Sequence, residues 1–467
     1  MFRRAPFGHE PVAVTLGLCT AFGLLVWVSR ALLLGPGYGS DPDAWRAIAA
    51  ATRLLQTGQY LPSRPPGYPL PEFADALLIH LGWGSGTALS MVSALLSGLV
   101  GALSLKLYAP LGRERALPGA IALCFTPIVY IAGMGAMDYV WGLTFFMAAS
   151  LAASRKALVP AAVLLGLAAA SRPTYALGFL PVLALWLNGR WSRLLDRRSW
   201  PQVAILALVS GSIAAVFFIP VMFSLGPRAF VFPYTGWHLQ DVVLNASVRL
   251  FGLIGIVAIG IGLSSAVRHA APERPAPQTE SLDAWAWALM ATQGPLFAVH
   301  PDEAAYLIPG LLGLYWLLAR RATVIALWTM GALLVASCFA LSLGRDAQHH
   351  LTVRPAGLVL VERQVQDRRH CIARVIDHWM ALHPLNDELL VVAENRPQLE
   401  IELPPPEAGR LLYTVHPDAA GVLQDTEGTR IPSGAHITVL DRASSLQAQE
   451  WLPQDSNWPE LPTQDCR

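Results

Sequence analysis

The sequence predicts an all-α polytopic membrane domain of about eleven transmembrane helices, followed by a small C-terminal α/β domain. Three observations carry this. Of 467 residues, 54% are hydrophobic and only 14% are charged, against roughly 25% charged in a soluble domain. Apolar segments recur from Val12 to Leu343 with short polar connectors between them. From Gly344 onward charge density rises and no apolar run long enough to span follows.

A spanning helix needs about 20 apolar residues. The candidates are 12–34, 85–108, 116–132, 138–154, 157–170, 174–188, 201–225, 242–266, 283–299, 304–319 and 322–343. Short members such as 157–170 and 304–319 read as tilted pieces or as helices that stop below the surface. Arg3 and Arg4 precede the first apolar run, which is long enough to be a retained helix and longer than a signal peptide's core.

Orientation follows from the cations. Alternate connectors carry Arg3/Arg4, Lys106/Arg113/Arg115, Arg155/Lys156, Arg190/Arg193/Arg197/Arg198, Arg268/Arg274 and Arg320/Arg321, which places them inside. The short connectors near 133–138, 171–173 and 300–303 hold one arginine among them, Arg172. With an odd number of spans, residues 344–467 form an extracytoplasmic domain, and 1–343 form the membrane domain with a first outer loop at 35–84. The expected location is the cytoplasmic (inner) membrane. A net charge of +1 with arginines scattered through short loops leaves no footprint for nucleic acid.

In the outer domain, 364–382 has helical spacing, 389–393, 411–415 and 436–440 read as short buried strands, and 444–451 reads as a last helix before a Pro-rich tail. Cys19, Cys124 and Cys338 fall in apolar spans. Cys371 and Cys466 fall in the outer domain, where an oxidising compartment permits a bridge and two free thiols are the alternative.

The polar constellations collect on the outer side. Asp41-Pro42-Asp43 opens the first outer loop. Trp45, Ile48, Ala49, Thr52 and Leu55 then make an apolar stripe, as in an amphipathic helix lying in the interface with its tryptophan at headgroup depth. Asp41 is an ordinary N-cap, with Pro42 at the first helical position. Alternatively, Asp41 or Asp43 is a general base or metal ligand, because two adjacent carboxylates near a bilayer raise one pKa. Residues 60–71 form a stiff Pro-rich loop. Within it Arg64 suits either lipid headgroups or bidentate clamping of a phosphate, and Tyr68 suits the aromatic belt or a sugar-stacking face.

Asp138 starts a span, where a helix dipole favours an acid. Arg172, between two apolar runs, needs a partner at that depth. In His300-Pro301-Asp302-Glu303-Ala304-Ala305-Tyr306, the two acids suit a helix start, whereas capping does not require His300. A divalent metal ion stays open as a cofactor, since ligation requires His300, Asp302 and Glu303 to converge with Asp41 or Asp43.

The order of these elements resembles the GT-C superfamily of integral membrane glycosyltransferases, including protein O-mannosyltransferase-like and aminoarabinose-transferase-like enzymes. That order is a first-loop acidic motif, an interfacial helix, Arg64-Pro65-Pro66-Gly67-Tyr68-Pro69, Asp138, Arg172-Pro173 and a late His300…Tyr306-x-x-Pro309 element, and it covers roughly residues 10–345. The resemblance implies transfer of a sugar from a polyprenyl-phosphate or polyprenyl-diphosphate carrier to a lipid, glycan or protein acceptor, by inverting displacement at the outer face, with membrane lipids around the site. Counting back from Trp45, it places the catalytic aspartate on Asp41. The family's following glutamate falls on Pro42, and Asp43 stands in for it. The late element matches at His300 but carries Ala304 and Ala305 where lipid-linked mannosyltransferases have an arginine. Donor phosphate binding then passes to Arg64, Arg172 and His300, with Tyr68, Asp138, Asp302, Glu303 and Tyr306 around the substrate.

Three rival classes use the same features differently, one of them a non-catalytic assembly protein whose outer domain binds a partner. A secondary transporter places ionisable residues near the bilayer midplane in broken helices, whereas these lie at one rim. An O-antigen ligase or polymerase expects long late outer loops, whereas the longest outer loop here is the first.

Overall fold

The computed structural model describes residues 14–230, 238–269, 277–345, 351–382, 388–392, 411–412, 415–417, 423–425, 436–439 and 466. Arg3 and Arg4, the expected helix at 444–451 and the tail before Cys466 lie outside the described residues.

The membrane domain is helical throughout: α1 (Leu16–Ala31), α2 (Pro42–Thr57), α3 (Pro69–His80), α4 (Gly86–Tyr108), α5 (Arg113–Cys124), α6 (Pro127–Ala132), α7 (Tyr139–Ser154), α8 (Leu158–Ser171), α9 (Phe179–Trp186), α10 (Trp200–Leu225), α11 (Leu239–Leu244), α12 (Leu250–Arg268), α13 (Pro277–Val299), α14 (Ile308–Arg321) and α15 (Val324–Phe339). Among the described residues, three stretches are long and apolar enough to cross a membrane, Gly86–Leu111, Arg197–Leu225 and Leu239–Arg268. Shorter apolar helices include α1, α7, α8 and α15.

The expected span 116–132 is two helices. Pro127 has no N–H, and it forces the preceding Thr126 into extended geometry (φ −67°, ψ 127°). The break frees carbonyls that hydrocarbon would leave unsatisfied. The Arg30 guanidinium donates to Cys124 O, the Cys338 thiol to Phe125 O and the Thr126 hydroxyl to Ala122 O. Arg30, 1% exposed, also lies 4.2 Å over the Tyr130 ring. The expected span 242–266 divides similarly, with a π-helical turn at Asn245–Arg249 and a kink at Gly252. The segments expected at 174–188 and 304–319 each open with a 3-10 turn, Pro173–Gly178 and Ala304–Leu307. The last expected span, 322–343, stops at Phe339, and β1 (Ser342–Arg345) pairs antiparallel with β2 (Leu351–Arg354).

Small residues bring helices into contact. α1 crosses α4 where a Cβ on Gly23 would sit 2.8 Å from the Gly98 carbonyl oxygen. α7 packs against α4 and α8, and α13 against α9 and α14.

In the C-terminal region, α16 (Leu358–Leu382) starts six residues before the expected helix. β3 (Glu388–Val391) lies parallel between β4 (Leu411–Leu412) and β7 (His436–Val439), while β5 (Val415–Pro417) pairs with β6 (Leu423–Asp425). Ile372, Ile376, Trp379, Leu390 and Val392 form its core. Cys371 and Cys466 are joined by a disulfide.

Candidate active site

The site is built at the N-terminal end of α7, from segments far apart in sequence. Asp41 is the N-cap of α2, and its Oδ1 accepts from Asp43 N at 2.9 Å. Pro42 at the first helical position fixes the entry, so Asp43 falls in the first turn and points back across the loop. The Asp43 carboxylate meets Arg46 Nη1 at 2.9 Å and Arg64 Nη1 at 3.2 Å.

Arg64 reaches onward, with Nη2 3.2 Å from Asp138 Oδ1. Asp138 stands at the start of α7 but makes no side-chain cap hydrogen bond. Its other oxygen, Oδ2, accepts from Arg172 Nη1 at 2.6 Å. An unbroken chain Asp43–Arg64–Asp138–Arg172 therefore joins the segment between α1 and α4, the start of α7 and the end of α8.

Arg172 is the C-cap of α8, in extended geometry (φ −154°) as Pro173 demands. It is 3% exposed. Three tyrosine rings surround its guanidinium, at 4.0 Å for Tyr139, 5.3 Å for Tyr306 and 5.5 Å for Tyr68. Tyr68 also lies under Arg64 at 4.2 Å. Such faces hold a desolvated cation without neutralising it. Burial works against both charges, but neighbouring tyrosines and carboxylates outweigh it. The Arg64 pKa is raised, and that of Arg172 is raised well above the ordinary value, so both stay cationic.

The late element closes the other side. Tyr139 donates to Glu303 Oε2 at 3.0 Å, while Glu303 Oε1 caps the 3-10 turn through Ala305 N at 3.0 Å. Glu303 is thus both the helix-start residue its position suggests and a member of the cluster. The Tyr306 ring stands between Arg172 and His300, with the His300 ring centroid 6.1 Å away. Asp302 is exposed, and the structure ties it to the site through its carbonyl, which accepts from buried Asn245 at 3.2 Å. Asn245 also donates to Pro301 O, which pins the loop.

Asp41 and Glu303 line one cavity of about 80 Å³. Ser40, Tyr139 and Gln366, the last from α16, add to its polar lining. Burial, then the neighbouring Asp43 carboxylate, pushes the Asp41 pKa up to about 6, against the pull of the Asp43 N–H and Arg64. A carboxylate poised there accepts a proton at neutral pH more readily than an ordinary aspartate.

Trp45 corrects an expectation. It is 2% exposed, donates to Gly39 O at 2.9 Å and packs edge-on against Tyr38, so its ring faces protein rather than lipid. The buried face of α2 runs through Ala44, Trp45, Ile48 and Ala51, and Leu55 is exposed. Sequence reasoning also missed three contributors. Tyr139 is a spanning-helix aromatic by composition, and Asn245 sits in an apolar run. Glu72 follows the Pro-rich loop and is fully buried, accepting from Tyr60 Oη and from the Ser63 hydroxyl and N–H. Burial raises the Glu72 pKa, and burial with Glu72 beside it lifts that of Asp75 well above the carboxylate range. The signal for Glu72 was there: an acid one turn beyond Tyr68, with Asp75 after it, on a helix that is mostly apolar.

Among the described residues, no group of three or more His, Cys, Asp or Glu side chains is arranged to hold a metal ion. Asp43 and Asp138 face arginines.

No protein-family model matches the sequence, and no curated protein matches it. Solved structures of membrane glycosyltransferases are similar to it. The arabinosyltransferase EmbB of Mycobacterium smegmatis is 14% identical, with a TM-score of 0.41 over 82% of this chain and 39% of that one. ArnT of Cupriavidus metallidurans bound to undecaprenyl phosphate is 20% identical, with a TM-score of 0.44 over 65% and 59%. The protein O-mannosyltransferase complex of S. cerevisiae bound to its sugar donor is 19% identical, with a TM-score of 0.37 over 46% and 34%. The chain thus spans 34% to 59% of the length of these proteins.

Proposed function

We propose that this chain is an integral membrane glycosyltransferase of the GT-C type, moving a sugar from a polyprenyl-phosphate carrier to an acceptor at the outer face of the cytoplasmic membrane. The observation that supports this reading is the convergence of Asp41, Asp43, Arg64, Asp138, Arg172 and Glu303 at one end of α7. A scattered set of helix caps would not form a continuous ion-paired chain.

In this reading the acceptor hydroxyl or amine enters the cavity beside Asp41. Its oxygen or nitrogen attacks the anomeric carbon from the face opposite the lipid phosphate. The bond from that carbon to the phosphate oxygen breaks, and its electron pair leaves with the phosphate. The acceptor proton goes to Asp41, so atoms and charge balance and the anomeric configuration inverts. A phosphate leaving group needs charge stabilisation more than a proton. Arg64 and Arg172 supply it, pre-aimed by Asp138 and by the tyrosine faces. Glu303 and Gln366 orient the acceptor, and His300 stands behind Tyr306 at the rim.

The test is direct. The chain, reconstituted in lipid, is given polyprenyl phosphates carrying mannose, arabinose or aminoarabinose, and release of polyprenyl phosphate is measured. Asp41→Asn is expected to slow release about 10²- to 10⁴-fold, as loss of a general base does. Unchanged turnover in folded Asp41→Asn would sink the assignment of the base, and no release from any donor with the native chain would sink the reading itself.

A further inference from the structure

The active-site reading leaves the opposite end of α7 unused. Asp138 marks one end of that helix and Arg155 the other, about 26 Å apart at 1.5 Å per residue. Around Arg155 lies a cavity of about 680 Å³. The end of α4, the end of α7, the 188–193 connector and the start of α13 enclose it.

Its charge is one-sided. Lys106, Arg155, Arg190 and Arg193 line it, with Glu280 as the acid among the lining residues. These cations come from three separate connectors and converge. Other arginines on this face are used structurally. Arg115 donates to the carbonyls of Ala319, Arg320 and Ala322, and Arg320 pairs with Asp283. Close by, Lys156 is held by the Leu185 and Trp186 carbonyls at 2.7 and 2.8 Å. A positive-inside bias accounts for cations at this end, but it does not require them to face one concavity.

We propose that this cavity is a second binding site, for a phosphate-bearing ligand taken from the arginine-rich side of the membrane. Guanidinium forks match phosphate oxygens. The volume lies in the range of small-molecule sites, roughly 300–1,000 Å³, so the ligand carries a body beyond the phosphate itself. The same chemistry is found in an anionic phospholipid headgroup and in a soluble organophosphate. The site does not depend on the glycosyltransferase reading.

The full chain, purified in detergent, is titrated with dioleoyl-phosphatidylglycerol against dioleoyl-phosphatidylcholine, and separately with ADP. Binding is read by native mass spectrometry and by the shift in unfolding temperature. Phosphatidylglycerol or ADP is expected to bind the native chain. The triple variant Arg155→Gln, Arg190→Gln, Arg193→Gln should bind it at least about tenfold more weakly, the equivalent of one charge-assisted contact. The exposed Arg268, on the same face outside the cavity, should tolerate Arg268→Gln unchanged. Retention of phosphatidylglycerol alone identifies a lipid headgroup, and retention of ADP alone a soluble ligand. The proposal is overturned if neither probe binds above phosphatidylcholine, or if Arg268→Gln weakens binding as much as the triple variant. Should the triple variant not fold, Lys106→Gln and Arg190→Gln are made singly, and unchanged affinity in both overturns it as well.

Discussion

Replacing Asp138 by Asn separates a helix-start acid from a charge that holds two arginines. An acid that only complements the helix dipole contributes about 0.3–1 kcal/mol. Asp138 instead lies 2.6 Å from Arg172 and 3.2 Å from Arg64, with 6% of its side chain exposed and 4% of Arg172. Removing one partner of a buried ion pair costs about 3–5 kcal/mol. Arg64 keeps Asp43 at 3.2 Å, and Arg172 keeps its tyrosine faces, so the lower end, about 3 kcal/mol, is expected. The assay is reversible unfolding in mixed micelles, run as a double-mutant cycle with Arg172→Gln. The cycle should show coupling of well over 1 kcal/mol, because the double variant leaves no buried unpaired charge. A loss under 1 kcal/mol for Asp138→Asn, with additive double-variant behaviour, would refute the ion-paired chain and return Asp138 to a dipole role.

Three further expectations concern the same loop and the outer domain. Asp41 is most stabilised as the neutral acid, an effect complete below its ordinary value of 3.8 and lost as pH rises through about 6. Its proton-accepting form therefore appears above about pH 6, so turnover should fall below that pH. Asp43→Asn removes a charge that raises Asp41 and should move the limb to lower pH; a limb that stays put or rises contradicts the assignment. Tyr60→Phe deletes a donor to buried Glu72 and should cost about 1.5–3 kcal/mol, measured by the same unfolding assay, while a change within error would mean that Glu72 is satisfied without it. The Cys371–Cys466 disulfide closes a loop with a sequence separation of 95. Chain-entropy arguments give a loop near that size about 4–5 kcal/mol, so Cys371→Ser should expose the outer domain to proteolysis, and thiol labelling of the unreduced, denatured native chain should find three free cysteines, the buried Cys19, Cys124 and Cys338.

How far the sequence foretold this arrangement depended on what each residue's neighbours are. Apolar runs and cation-bearing connectors located nearly every helix, because both signals are local. The breaks at Pro127 and Gly252 were less legible, since a proline at a span's middle reads as tolerated until its carbonyls find partners such as Arg30 and Cys338. Asp41, Asp43, Arg64, Asp138 and Arg172 were visible as polar residues at costly positions. Their pairing was not, because partners up to 74 positions apart carry no mutual spacing signal (Asp43 and Arg172 are linked only through Arg64 and Asp138). Trp45 was misplaced for the opposite reason. A tryptophan on an amphipathic helix looks the same whether its apolar face meets lipid or protein. Gly37, which makes room for the ring, Gly39, whose carbonyl accepts its N–H, and Tyr38, which packs against it, act through tertiary contact.

The position of Arg172 also rests on a contact remote from its charge. A Cβ added at Gly142 of α7 would lie 2.5 Å from the Tyr175 ring. Tyr175 is 3% exposed and belongs to the 3-10 turn that begins directly after Arg172. The ring is backed by Phe146 at 5.9 Å and cannot swing clear, so Gly142→Ala displaces the turn. Overpacking of this kind costs about 1–3 kcal/mol, and part of it should emerge as movement of the guanidinium away from Asp138. Turnover should then fall more than folding stability alone explains. Trimming the obstructing ring in Gly142→Ala, Tyr175→Leu should recover more activity than stability, because the second change restores room while opening a void of its own. If Gly142→Ala turns over like the native chain, or if the double variant recovers nothing, the α7–turn contact does not aim Arg172, and its placement must come from Asp138 and the tyrosines alone.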